Sequence, residues 1–105
     1  MTEALADAGL DARASALVRS VLARYPAVQE ARIFGSRAMN RHRPESDVDL
    51  ALFGDVDDLL ANRIAGELDE LPVPFTFDVC AYQQVEHAAL REHIDRVGRR
   101  FFLRP

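Results

Sequence analysis

The chain contains no lysine: the 13 residues counted as lysine or arginine are all arginine. This absence excludes P-loop NTPases, which place a lysine against the nucleotide phosphates. It also excludes enzymes that form a Schiff base or a nucleotide adduct on a lysine side chain. We therefore expect any phosphate contact from a charged side chain to come from arginine, whose planar guanidinium suits bidentate recognition of oxyanions.

Cysteine is almost absent as well, with Cys80 as the single example. An intrachain disulfide is therefore impossible, and a cysteine-rich zinc site is excluded. No apolar run approaches the length of about 18 residues that is typical of a membrane span. The N-terminus also lacks the basic and then apolar pattern of a signal peptide. We expect a soluble cytoplasmic protein with no membrane contact.

The 105 residues suit one compact domain, so residues 1–105 are expected to form a single unit. A hydrophobic content of 49% is normal for a globular chain. The net charge of −4 argues against direct binding of a long nucleic acid, because that affinity depends mainly on neutralised phosphates. A single nucleotide bound through a metal ion is still compatible with this charge.

Hydrophobic periodicity predicts alternating helices and strands. The predicted helices cover residues 11–24, 56–70 and 83–96, and the predicted strands cover residues 28–34, 48–53, 75–81 and 99–103. Short helices at 2–8 and 37–39 are further candidates. Asp11 and Asp55 are the expected N-caps, and Leu59 and Ala89 are expected on inward helix faces. The order indicates an α/β (α+β) domain with helices packed on a small mixed β-sheet of about four strands.

Two aspartates lie at alternate positions where the second predicted strand begins. Residues i and i+2 of a strand point to the same face, so Asp47 and Asp49 should project side by side, about 6.6 Å apart along the chain. Val48 and Leu50 would then point into the core. Such crowded carboxylates repel each other unless a positive charge lies between them.

A third aspartate, Asp78, lies inside the apolar run Phe75–Ala81. A carboxylate so close to a core is costly unless it is paired or binds a metal ion. The three carboxylates on two strands therefore suggest a site for a divalent cation such as Mg²⁺. The alternative is that Asp47 caps a turn, Asp49 faces solvent, and each aspartate pairs with an arginine.

Gly35 and Ser36 follow the first predicted strand and are candidates for a phosphate-binding turn. Glycine permits close approach of the backbone, and N–H groups at a helix start favour a bound phosphate. A plain strand-to-helix turn capped by Ser36 is the alternative. The three histidines lack the spacing of metal ligands, so His42, His87 and His93 are interpreted as surface or half-buried residues. Cys80 is interpreted as a small packed residue.

The combined pattern resembles the minimal nucleotidyltransferases of the polymerase-beta-like superfamily. It consists of Gly35-Ser36-Arg37-Ala38, a short arginine-containing loop, Ser46-Asp47-Val48-Asp49-Leu50, and Asp78 on a later strand. The resemblance extends from the first helix to the closing strand. One departure is Asn40, where relatives often carry glycine; asparagine tolerates the left-handed conformation that such a loop needs.

This resemblance implies roles for specific residues. Gly35, Ser36 and Arg37 would bind the nucleotide phosphates, with help from Arg41 or Arg43. Asp47, Asp49 and Asp78 would be the catalytic residues and would hold two Mg²⁺ ions. Asp78 is also a candidate base.

The resemblance also implies a reaction and a partner. AMP would pass from ATP to a hydroxyl, expected to be that of a tyrosine, on a partner HEPN toxin. The chain would act as an antitoxin in a hetero-oligomeric toxin–antitoxin system. The alternatives are a non-catalytic antitoxin that neutralises its partner by binding, nucleotidyl transfer to a small molecule, and transfer in cis to Tyr82.

Overall fold

The computed structural model describes residues 5–41, 43 and 47–105. These residues form three helices and four strands, and a short 3₁₀ turn at Tyr82–Gln84 precedes the last helix. In chain order they are α1 (Ala12–Ala23), β1 (Val28–Phe34), β2 (Val48–Gly54), α2 (Asp58–Asp69), β3 (Phe77–Ala81), α3 (Ala88–Val97) and β4 (Arg99–Leu103). Within the described residues, no helix has the length and apolar character needed to cross a bilayer.

The four strands form one mixed sheet in the order β3-β2-β1-β4. β1 pairs antiparallel with both β2 and β4, whereas β2 and β3 run parallel. A parallel pair needs a crossover connection, and α2 provides it. The α/β (α+β) class with a small mixed sheet, predicted from periodicity, is confirmed.

Two hydrophobic clusters hold the layers together. The larger cluster contains the buried faces of α1 and α2 together with Val48, Leu50 and Leu52 of β2. The smaller cluster includes Ala51 of the same strand and Ile94 of α3. Because side chains alternate along a strand, β2 contributes to both clusters. Asp49 has the parity of Ala51 and therefore lies on the face of the sheet that α3 covers.

Several predicted boundaries need correction. α2 begins at Asp58 and its N-cap is Asp57, whose carboxylate accepts the N–H of Leu60 at 2.8 Å. The expected cap, Asp55, is instead the central residue of a turn in which the N–H of Val56 donates to the Gly54 carbonyl. The predicted strand 75–81 begins only at Phe77.

The expected last helix, 83–96, is instead a 3₁₀ turn followed by α3. At 2–8 the described part, residues 5–8, is not helical, and at 37–39 the chain forms turns rather than a helix.

Leu59 and Ala89 were wrongly predicted to face inward. Leu59 is 79% exposed and Ala89 is also exposed, whereas Ile64 and Ile94 are fully buried. Each exposed residue precedes its buried isoleucine by five positions, which places it about 140° around a helix of 3.6 residues per turn. The actual inward stripe therefore excludes both.

Arg104 connects the C-terminal end of the chain to the end of α1. Its guanidinium donates to the carbonyls of Tyr25 and Val28 at 2.8 Å, Leu22 at 3.3 Å and Ala23 at 3.5 Å. The last carbonyls of a helix have no partners within the helix. Arg104 therefore adds a charged donor to this end of α1, where the carbonyls of Leu22 and Tyr25 also accept the backbone N–H groups of Tyr25 and Val28.

Replacing Arg104 with alanine is expected to destabilise the fold by about 1.5–3 kcal/mol, the range for hydrogen bonds to a charged group. Arg104→Lys should recover only part of this loss because an ammonium cannot span several carbonyls as a guanidinium does. Urea unfolding followed by circular dichroism measures both variants. Equal stability of Arg104→Ala and the parent chain would contradict a capping role.

Candidate active site

Two carboxylates lie side by side across the parallel pair of strands. Asp49 of β2 and Asp78 of β3 are register partners, and neighbouring strands lie about 4.8 Å apart. Both residues project from the same face, because their partners in sequence, Ala51 and Cys80, pack in the smaller cluster with α3. The two aspartates therefore lie side by side on one face of the sheet, as the sequence pattern predicts.

Asp47 approaches the same place from the residue before β2 begins. Its Oδ1 accepts a hydrogen bond from the Thr76 hydroxyl. Thr76 immediately precedes β3, and its carbonyl accepts the N–H of Val48 at 2.9 Å. These two hydrogen bonds connect the starts of β2 and β3, and they hold the Asp47 carboxylate at the edge of the site. Ser46 and His42 lie outside the described residues.

The electrostatics of Asp49 reflect this crowding. Burial raises the pKa of the Asp49 carboxyl to about 6, and the negative charges of Asp78 and Asp47 add to the rise. A nearby histidine, His93, opposes it. Asp49 therefore lies within electrostatic reach of both other carboxylates, which is the charge pattern that a bound cation would relieve.

The donor chemistry of the three aspartates suits Mg²⁺, which prefers oxygen ligands and one or two carboxylates. In the part of the chain that the structure describes, no three His, Cys, Asp or Glu side chains converge as a ready-made metal cluster. Asp49 and Asp78 are register partners on one face of the sheet, with Asp47 beside them, and their role as metal ligands stays a prediction.

The turn after β1 brings backbone against the carboxylate pair. Gly35 has a φ of +72°, and a Cβ at this position would collide with Oδ2 of Asp49. The N–H groups of Met39 and Arg41 donate back to the carbonyls of Gly35 at 3.2 Å and Ser36 at 2.8 Å. These hydrogen bonds close the turn on itself, and the binding of a phosphate by its N–H groups stays a prediction.

The Arg37 side chain is buried, unlike an exposed arginine that is free to contact a nucleotide phosphate. Its side chain is 1% exposed, its Nη1 donates to the Ala8 carbonyl at 3.2 Å, and its guanidinium lies 4.9 Å from the centre of the Phe75 ring. Burial lowers the pKa of this guanidinium. These contacts favour a role in holding the turn against the N-terminal segment, and the phosphate role of Arg37 stays a prediction.

Two further features of the loop bear on the sequence predictions. Asn40 has a φ of +56°, the left-handed conformation that asparagine was expected to tolerate in place of glycine. Arg41 and Arg43 are exposed. Their side chains are therefore accessible to a nucleotide, and their contact with phosphates stays a prediction.

His93 is the residue near the site that sequence reasoning missed. It is half-buried on α3, and its ring meets Phe34 edge to face, with centroids 6.1 Å apart. The sequence did hold a signal for this position. His93 lies one residue before Ile94 and three after Leu90, so it borders the buried stripe of the helix. Cys80, by contrast, is a packed residue as expected; burial and the charge of Asp78 raise its pKa to about 11.

Comparison with known proteins identifies the sequence family. Residues 17–105 match the model of the family described as polymerase beta, nucleotidyltransferase. No curated protein matches the chain in sequence. The match covers every strand of the sheet and all three aspartates.

Solved structures with the same fold include several from toxin–antitoxin complexes. A chain of a toxin–antitoxin complex with AMP-PNP has a TM-score of 0.72 and 17% identity, over 86% of this chain and 73% of that one. A chain of the MntA–HepT complex has a TM-score of 0.67 and 15% identity, with coverages of 90% and 74%. A chain of a tri-AMPylated Shewanella oneidensis HEPN toxin with its MNT antitoxin has a TM-score of 0.66 and 16% identity, covering 88% and 71%. At such identities the likeness shows the fold.

Gly35→Ala is expected to destabilise the chain by about 1–3 kcal/mol, because alanine is strained at this φ and its methyl group would displace Asp49. The matched control is Gly66→Ala in α2, where an added Cβ has nothing within 4 Å. That control should stabilise the helix by about 0.5–1 kcal/mol. Chemical unfolding measures both, and equal effects of the two substitutions would contradict the close approach at Gly35.

Asp49→Asn is expected to stabilise the metal-free chain at pH 7.5 by about 1–2 kcal/mol, allowing for screening by solvent. The folded pKa of about 6 lies above the ordinary 3.8, so the folded state binds protons more readily than the unfolded state. The parent chain therefore loses stability as pH rises from about 4 through about 6, and the loss is complete above that. Thermal melting with EDTA at pH 7.5 and pH 4 should show the gain only at the higher pH.

Proposed function

Because the chain belongs to the polymerase-beta nucleotidyltransferase family, we propose that it is an Mg²⁺-dependent enzyme that transfers AMP from ATP to a partner protein. The observation that carries the proposal is the register pair Asp49–Asp78 beside the turn at Gly35. A phosphate-binding turn and clustered carboxylates are the two parts that a phosphoryl-transfer site needs.

The chemistry follows from what each group can do. An acceptor hydroxyl oxygen attacks the α-phosphorus of ATP, the bond from that phosphorus to the β-phosphate bridging oxygen breaks, and pyrophosphate leaves. Asp78 is exposed on an edge strand and accepts the proton of the hydroxyl. Gly35 and Ser36 bind the phosphate chain through backbone N–H groups and the serine hydroxyl.

Asp47, Asp49 and Asp78 would hold two Mg²⁺ ions. When bound, the metal supplies positive charge that offsets the charge on the entering and leaving oxygens. Asp49 must be ionised to act as a ligand, so its raised pKa makes metal binding weaken below about pH 6.

The acceptor is proposed to be a tyrosine hydroxyl on a HEPN toxin, and the chain would then be its cytoplasmic antitoxin. The support comes from proteins of the same fold: one complex contains AMP-PNP, and another contains a tri-AMPylated HEPN toxin with its MNT antitoxin. An open carboxylate site on a sheet edge also leaves room for an acceptor from a second protein.

A non-catalytic antitoxin is the second candidate. It is favoured by the hydrogen bond between Thr76 and Asp47, and by the lack of a ready-made metal cluster within the described residues. In that case the chain would neutralise its partner by contact alone. The two candidates differ in whether neutralisation depends on the carboxylates.

Incubation with Mg²⁺ and the HEPN protein encoded beside it should move label from α-³²P-ATP, but not from γ-³²P-ATP, onto that protein. Intact mass and peptide mapping should locate one or more AMP groups on tyrosine. Asp49→Asn and Asp78→Asn should reduce labelling to background. The matched control Asp69→Asn, at the exposed end of α2, should label as the parent does.

Neutralisation of the toxin by the same variants separates the candidates. Loss of neutralisation together with labelling supports transfer. Full neutralisation by Asp49→Asn, with an unlabelled partner, would establish masking by contact and contradict the enzymatic proposal.

A further inference from the structure

α3 places an imidazole against the last residue of β1, which borders the candidate site. His93 packs edge to face on Phe34, with an interplanar angle of 82°. Phe34 is the register partner of Asp49 across β1 and β2, and it directly precedes Gly35. Phe34 therefore contacts His93 and is also adjacent to both the carboxylate pair and the proposed phosphate-binding turn.

The electrostatics agree with this placement. The charge on His93 opposes the rise in the pKa of Asp49, so the imidazole lies near enough to act on that carboxylate. The position is also fixed by packing. Ile94 is fully buried, and Asp95 accepts a hydrogen bond from the Tyr82 hydroxyl at 2.6 Å. The backbone of α3 on either side of His93 is thus anchored to the sheet layer.

Two arginines on this face of the sheet are engaged with other groups. Arg32 of β1 forms an ion pair with Glu30, and Arg91 of α3 donates to the carbonyls of Tyr82 and Val85 at 3.1 Å. Besides the exposed Arg41 and Arg43 of the loop, an imidazole N–H carried on α3 is therefore a further donor for an anion at the Gly35 end of the site.

We infer that His93 binds the phosphate chain of the nucleotide, donating an imidazole N–H from α3 opposite the Gly35–Ser36 turn. This inference rests on the proposed nucleotidyl transfer and adds to it a binding residue outside the family motif. An imidazole has at least one N–H whether neutral or charged, so the role does not depend on the protonation of His93.

Two substitutions separate hydrogen bonding from packing. His93→Phe keeps an aromatic ring on Phe34 and removes the donor. His93→Gln removes the ring and keeps an N–H that reaches a similar distance. The control on the same helix is His87→Asn, because His87 caps α3 by accepting the Leu90 N–H and asparagine caps helices equally well.

Isothermal titration with ATP and Mg²⁺, in the absence of any acceptor protein, gives the affinities. His93→Phe is expected to weaken ATP binding about tenfold or more, the size of a lost hydrogen bond to a charged group. His93→Gln should stay within about threefold of the parent, and His87→Asn should match it. Inorganic tripolyphosphate, used as a competitor, should lose affinity for His93→Phe by the same factor as ATP.

Tighter ATP binding by His93→Phe than by His93→Gln would show that His93 only packs, and would overturn the inference. So would an unchanged affinity for tripolyphosphate, which would place His93 against the base or ribose. If His93→Phe unfolds below the assay temperature, the ATP affinities of His93→Gln and His93→Ala are compared instead. Weaker binding by His93→Ala than by His93→Gln supports the inference, and equal binding overturns it. Failure of the parent chain to bind ATP would overturn the proposed function together with this inference, whereas normal binding by His93→Phe overturns the inference alone.

Discussion

Repulsion between carboxylates is the constraint on which the candidate site depends. The parallel pairing of β2 with β3 sets Asp49 opposite Asp78, and neither side chain can leave the other without a shift in register. A one-residue slip would turn Val48 and Leu50, both fully buried, to the other face. The hydrophobic core therefore enforces an unfavourable electrostatic contact, and this is the contact that the proposed cation would relieve.

The rest of the fold serves this arrangement. α2 supplies the crossover that makes a parallel neighbour possible. Gly35 allows the turn after β1 to pass against Asp49, and Thr76 fastens Asp47 at the edge. α3 covers the same face and brings His93 to the corner beside Phe34. Elements distant in sequence thus bring their side chains together at one place on a small sheet.

Sequence reasoning reached most of the fold and the central part of the site. Strand alternation placed Asp47 and Asp49 on one face, and the isolated Asp78 in an apolar run pointed to a neighbouring strand.

The features that the sequence did not predict depend on three-dimensional packing. Arg37 follows Gly-Ser in sequence, yet its side chain turns into a buried contact with Ala8 that no local pattern predicts. His93 lies on the border of a helical stripe, and only the docking angle of α3 decides which neighbour it meets. Leu59 and Ala89 show the same limit. They lie about 140° from the buried stripe of their helices, but residue type alone does not distinguish an exposed apolar residue from a buried one.

Asp49 and its neighbouring carboxylates are proposed to share a divalent cation. Carbon-13 NMR of the Asp49 carboxyl, titrated against pH with EDTA and again with saturating Mg²⁺, measures this sharing at the residue itself. A shared cation predicts an apparent pKa of about 6 without metal, and a fall well below the ordinary aspartate range when Mg²⁺ is present. An Asp49 titration that is the same with and without Mg²⁺ would show that no cation is shared.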